Sequence, residues 1–310
     1  MGQRKVFKTL EEQIEILRNK GLIITDVEKT KEILLRENYF FINGYRHIFM
    51  ISDKERRFHH GTTFEELYAF FVFDRNIRNI FFKHILVVEN NLKSILSYQL
   101  SKQYGVREQD YLNPGNFTED RTRGRQVNDV LRKMKRQVRI NASRHSATMH
   151  YLTNYGYIPL WVLVKVLSFG IISELYSILR DEDKTIIADY YDLDVESFEV
   201  FLPIIANYRN LCAHEDILYD HRTQRMIPNN KYHIKLDIPA REDEYIYGKN
   251  DLYALVIMLK YLLRDEDFRE LIRETEYEIS LLDAKVSIIS VEKILNRIGF
   301  PSNWRDIIDL

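Results

Sequence analysis

A chain of 310 residues with 45% apolar and 29% charged side chains has an ordinary globular make-up, long enough for one large domain or two small ones. Its formal net charge of -1 creates no global field for a polyanion, so any grip on nucleic acid has to come from local patches. A single cysteine, Cys212, excludes an intramolecular disulfide or a cysteine-built metal site and fits a reducing compartment, with cytoplasm as the default.

Six prolines and eleven glycines, with apolar residues spaced mostly by three and four, predict an all-α fold. The start of the chain has basic residues but no apolar stretch behind them, so it does not read as a secretory leader. Two short helices are expected over 11–19 and 26–37, the second capped by Asp26. Thr62-Thr63-Phe64-Glu65 has capping-box spacing and opens the longest helical signal, which runs to Gln103 with a break near Asp74. Residues 106–119 read as a loop, and a strongly basic helix follows over 121–145, then a tyrosine-rich loop. From Ile158 two apolar helices hinge near Ser168-Phe169-Gly170; this apolar run is too short to span a bilayer and carries Lys165, so no membrane segment is expected. A short helix near 184–191 precedes one that Pro203 should start or kink. Beyond Tyr219 the pattern changes, and alternation around Pro228-Asn229-Asn230 predicts a small β-hairpin over 222–238. Residues 241–249 read as a charged turn, and helices resume over 251–264, 266–283 and 290–298, closed by Gly299 and Pro301. The expected division is an N-terminal helical unit (1–60), a helical core (61–225) and a C-terminal extension (226–310).

The chemistry concentrates at Arg209-Asn210-Leu211-Cys212-Ala213-His214. At about 100° per residue, Ile204, Ile205, Tyr208, Leu211 and Cys212 form an apolar stripe, while Asn207, Arg209, Asn210, Ala213 and His214 fill the polar side. A guanidinium offers a fixed pair of donors to phosphate oxygens, an imidazole exchanges a proton near neutral pH, and an amide can orient either. Spacing alone equally suits a solvated helix face. Cys212, on the apolar side, reads as a small core residue.

These six residues resemble the R-N-x-x-x-H form of the motif in HEPN-domain ribonucleases. Further stretches are similar to the abortive-infection (Abi) family of AbiD/AbiF type: residues 11–24, Phe41 to Arg46 (F-I-N-G-Y-R), Phe73 to Arg78 (F-D-R-N-I-R) and 158–170. The resemblance spans about residues 8–225. It implies a HEPN-like helical bundle and a metal-independent endoribonuclease acting in phage defence, or as a toxin, without a cofactor. The motif helices of two copies would then meet at a two-fold axis, and an inhibitory RNA or protein antitoxin could restrain the activity. Arg209 and His214 take the catalytic positions, Asn210 the supporting polar one, and Glu89 the carboxylate that orients them. Glu215 and Asp216, directly after the histidine, depart from the basic or small polar residue of many relatives. The alternative is a non-catalytic RNA- or protein-binding module on the same fold.

Other features have competing meanings. Between 121 and 145 nine basic residues stand against Asp129 alone; Arg132, Lys133, Lys135, Arg136 and Arg139 are expected either to track RNA phosphates or to form a solvated face. Glu89 and Lys93, four apart, could simply pair on the surface. Arg78 and His84 imitate the Arg-to-His pattern, but Phe81 and Phe82 between them argue for the core. His59-His60 reads as surface loop, and Tyr151, Tyr155 and Tyr157 as either base-stacking or packing residues.

Overall fold

Helices start where a side chain can satisfy the first free amides, and much of this chain's architecture follows from such caps. The computed structural model describes residues 6–52 and 54–310. Helix α1 (Leu10–Asn19) opens on a Thr9–Glu12 capping box, and in α2 (Val27–Glu37) the Asp26 carboxylate accepts from the Lys29 amide. Short α3 (Tyr39–Gly44) continues through a 3-10 turn (Tyr45–Phe49) into the loop that precedes α4.

Helix α4 (Phe64–Tyr104) is unbroken, roughly 60 Å long at 1.5 Å per residue. The expected interruption at Asp74 does not occur, because its carboxylate caps no new helix; it is buried and accepts from Tyr45 and from the amides of Leu218 and Tyr219. The start also differs by one residue. Thr63 and Glu66 form the capping box, since Glu66 additionally accepts from the amides of Ser287 and Ile288 at 2.7 and 3.1 Å. Leu67, Phe70, Ile77, Phe81, Ile85, Leu92 and Leu96 are fully or almost fully buried along it.

After α4, the expected loop contains one helical turn, α5 (Glu108–Tyr111). The basic helix is α6 (Gly124–Asn141), led in by a 3-10 turn at Arg121–Arg123 and buried through Val127, Val130, Leu131 and Met134. The tyrosine-rich segment is helical as α7 (Ser146–Tyr155). Then come α8 (Leu160–Leu163), α9 (Phe169–Ser177), capped by the Ser168 hydroxyl, and α10 (Asp181–Asp189). Helix α11 (Val195–Ala213) carries the motif. It begins at Asp194, whose carboxylate accepts from the Ser197 amide at 2.7 Å, so Pro203 lies inside the helix rather than at its start.

The hairpin expected over 222–238 is not there: residues 231–235 form α12 (Lys231–Lys235), seeded by the Asn230 side chain. The strand pair sits later, β1 (Ala240–Arg241) against β2 (Glu244–Tyr245), joined at Glu242 and Asp243. Both turn residues have φ near +52° and +65°, the left-handed pair that a two-residue hairpin turn demands. Alternation over 222–238 is misleading because Ile227, Tyr232, Leu236 and Ile238 are buried in a helical core, Tyr232 edge-on to Tyr261 of the later helix, rather than paired across a sheet. Helix α13 (Leu252–Leu262) is buried nearly all round, α14 (Asp265–Asp283) packs along α4, and α15 (Val291–Ile298) runs from a Ser290 cap to left-handed Gly299. Helices α8, α10, α11, α13 and α14 all pack on α4, so the fold is an all-α bundle built around one long helix. Among the described residues no helix is long and apolar enough to cross a membrane.

Candidate active site

The motif helix ends in a defined way. His214 is the last capping residue of α11, and Glu215 takes a left-handed φ of 58°. The Glu215 amide then donates to the Cys212 carbonyl at 3.3 Å and the Asp216 amide to the Leu211 carbonyl at 3.1 Å. This is the double bond pattern of a Schellman stop, here with glutamate where glycine is usual. It exposes His214, whose imidazole makes no hydrogen bond among the described residues, beside exposed Asn210.

What holds the chain beyond His214 is a buried polar network. Asp74 accepts from the Leu218 amide (3.2 Å) and the Tyr219 amide (2.7 Å), from the Tyr45 hydroxyl (2.7 Å) and from the Arg78 guanidinium (2.5 Å). Arg78 also donates to the Asp216 carbonyl at 3.2 Å. Burial and the Asp74 charge push the Tyr45 hydroxyl well above its ordinary range, so it stays protonated and donates. Thus F-I-N-G-Y-R and F-D-R-N-I-R, far apart in sequence, meet beneath the end of the motif helix. Arg78 and His84 belong to the interior, as the intervening phenylalanines indicate: both are buried, and His84 Nε2 lies 3.3 Å from Glu274 on α14.

Arg209 is held from α4. Its Nε donates to Glu89 Oε2 at 3.2 Å and its guanidinium carbon lies 5.7 Å from the Phe82 ring centre, leaving the side chain 29% exposed. Glu89 is 6% exposed, and its other oxygen accepts from Lys93 Nζ at 2.7 Å. One carboxylate therefore sits between two cations inside the bundle rather than in a surface pair. Arg209 and Glu89 are brought together; Arg209 and His214 share no hydrogen bond or ring contact among the described residues. Replacing Glu89 with glutamine should lower stability by about 3 kcal/mol, because Lys93 loses its buried counter-charge. The pair Glu89→Gln/Lys93→Met should recover most of that while still leaving Arg209 unanchored. Denaturant midpoints measure both, and any functional loss that persists in the stable double variant reports the positioning of Arg209.

Cys212 is buried, and desolvation pushes its thiol up to about 12, which removes it as a nucleophile at neutral pH. On α6, Lys133 meets Glu174 of α9 at 2.6 Å and Arg132 pairs with Asp129. Lys135, Arg136 and Arg139 are exposed without a carboxylate partner among the described residues. Helix α9 packs on both α6 and α11, so it links the basic helix to the motif helix. Tyr151, Tyr155 and Tyr157 form a chain of rings with centres 5.3 and 6.5 Å apart, its exposed member Tyr155.

Sequence reasoning missed His221. Its Nε2 lies 2.7 Å from Asn207 Oδ1, and its ring stands edge-on to Tyr208 at 5.1 Å. Burial, followed by the Arg222 charge, lowers its pKa. A histidine seven residues after His214 was the available signal, obscured by reading the next segment as a strand.

Fold and site together define an all-α bundle protein with a surface Arg–Asn–His motif at the end of a helix packed on a long central helix. Residues 32–220 match the family model described as Abi-like protein. The chain belongs to that family, whose name points to abortive infection and phage defence. The matched span contains the motif, Glu89, the Asp74 network and α6, and it ends just before His221. No curated protein and no solved structure matches the chain.

Proposed function

We propose that the chain is a HEPN-type, metal-independent endoribonuclease of abortive infection, of the AbiD/AbiF kind, working as a homodimer in the cytoplasm. The observation that carries this reading is the pairing of an anchored, part-exposed Arg209 with an open, unengaged His214 on one helix. RNA carries its own nucleophile. The 2′-oxygen loses its proton and bonds to the adjacent phosphorus, the bond from phosphorus to the 5′-oxygen breaks, and that oxygen takes a proton. The products are a 2′,3′-cyclic phosphate end and a 5′-hydroxyl end. His214 moves the proton, Arg209 steadies the charge on the non-bridging oxygens, and Asn210 orients the pair. One imidazole cannot be base and acid in a single step, so a second copy across a two-fold axis supplies the other. Cleavage in the presence of a chelator should therefore scale with the dimer population across a dilution series; activity that persists in a proven monomer defeats the composite site.

A second reading is a binding module without catalysis, favoured by the ion pair that already occupies Arg209. Under the ribonuclease reading, and under the RNA-binding form of the second, the unpaired face of α6 is RNA-contacting surface. Charge reversal at Lys135, Arg136 and Arg139 should weaken RNA binding and flatten the salt dependence by about 0.7 in log–log slope for each phosphate that is no longer neutralised. Fluorescence anisotropy over a salt series reads both quantities, and an unchanged slope would make the patch a solvated face.

A further inference from the structure

On α11, Pro203, Asn207, Asn210 and His214 recur at intervals of four, three and four, so they fall within an arc of about 60° on one face. Pro203, Ile204 and Asn207 form one wall of a cleft of about 500 Å³ whose other wall is the segment His221 to Arg225. The cleft lies beside the strip that ends at His214, with Asn207 roughly 10 Å along the axis from it. That second wall is tied to residues further along the chain. The Thr223 amide donates to the Asn250 carbonyl at 2.8 Å, the Ile227 amide to the Lys249 carbonyl at 2.8 Å, and Arg222 to the Arg297 carbonyl at 2.5 Å. The loop that leads into α13 and helix α15 therefore brace it.

The chemistry inside the cleft is selective. Arg225 is exposed and its guanidinium has no partner among the described residues, so it is available to a phosphate. With Nε2–H given to Asn207 Oδ1, a neutral His221 keeps Nδ1 as an acceptor suited to a hydroxyl hydrogen. An arginine for phosphate beside an acceptor for a sugar hydroxyl is the pair that a ribose-phosphate strand presents. We propose that this cleft is a subsite for single-stranded RNA, holding the strand that flanks the bond presented to His214. The proposal rests on the ribonuclease reading for the direction of the strand. It assigns to the region beyond the family match the task of holding substrate.

The test uses the full chain carrying His214→Ala, so that a labelled oligoribonucleotide stays intact, with anisotropy recorded between about 50 and 200 mM salt. Adding Arg225→Gln should weaken binding roughly tenfold and reduce the log–log salt slope by about 0.7. Adding Asn207→Ala, which frees His221, should weaken binding to the RNA more than to the DNA of the same sequence. Thermal unfolding of each variant confirms that it is folded. Unchanged affinity and slope, or no RNA binding by the parent, overturns the cleft; in the first case an acidic protein partner becomes the better occupant of Arg225. Cleavage by the chain with His214 intact is scored separately: loss of binding without any cleavage sinks the ribonuclease reading alone, and cleavage with unaltered binding sinks the cleft alone.

Discussion

His214→Ala is expected to cut the rate of RNA cleavage in chelator by about 10²- to 10⁴-fold, the usual worth of a positioned proton-transfer group. Arg209→Ala should cost about 10²- to 10³-fold, as removal of a donor aimed at developing charge does. The double variant should be little worse than the weaker single one, because the two groups serve one transition state. Arg209→Lys should not restore the rate: an ammonium cannot present two parallel donors to phosphate oxygens and would meet Glu89 as a point charge. The structure makes these variants clean. His214 is exposed and makes no side-chain hydrogen bond among the described residues, and when Arg209 is removed the buried Glu89 carboxylate keeps Lys93 as its counter-charge. Their unfolding midpoints should therefore move little. A His214→Ala protein that cleaves at the parental rate ends the enzyme reading and leaves the binding module.

Asp74→Ala is expected to cause the largest loss of stability, about 3–5 kcal/mol, because the Arg78 guanidinium is left buried beside no counter-charge. Two backbone amides, of Leu218 and Tyr219, lose their acceptor in the same step. For a chain of this size that corresponds to a fall in Tm of roughly 5–8 °C. The segment after His214 hangs on this carboxylate, so RNA cleavage should drop as well, at temperatures where the variant is still folded. Asp74→Ala/Arg78→Leu removes the orphaned charge and should regain much of the stability without regaining the anchoring of residues 216–219. A Tm within a degree of the parent for Asp74→Ala would show that the network is dispensable.

Much of the helical layout was legible because it is written locally. Ser290 and Gly299 bracket α15, Asp26 opens α2, and the spacing of Leu67 to Leu96 marks α4, all through interactions within one or two turns. The errors share a different cause. Thr62-Thr63-Phe64-Glu65-Glu66 contains two overlapping capping boxes, and local chemistry cannot choose between them. The amides of Ser287 and Ile288, more than two hundred residues later, select Glu66. The same holds for Asp74, a good N-cap by type, which distant amides draw into the core instead. Over 222–238 the alternation reflects burial in a helical core, and the real turn, at Glu242 and Asp243, is marked only by two acidic residues able to adopt positive φ.

By itself the sequence determined an all-α chain, the position of the Arg209–His214 helix and its polar face, since helix periodicity and capping act over a few residues. Only the tertiary structure decided what surrounds that face. Glu89 is buried between Arg209 and Lys93, Asp74 and Tyr45 tie down the residues after His214, and His221 turns back onto Asn207. The physical reason is that desolvated polar groups must find partners wherever the fold brings them, and those partners lie 120, 145 and 14 residues away along the chain.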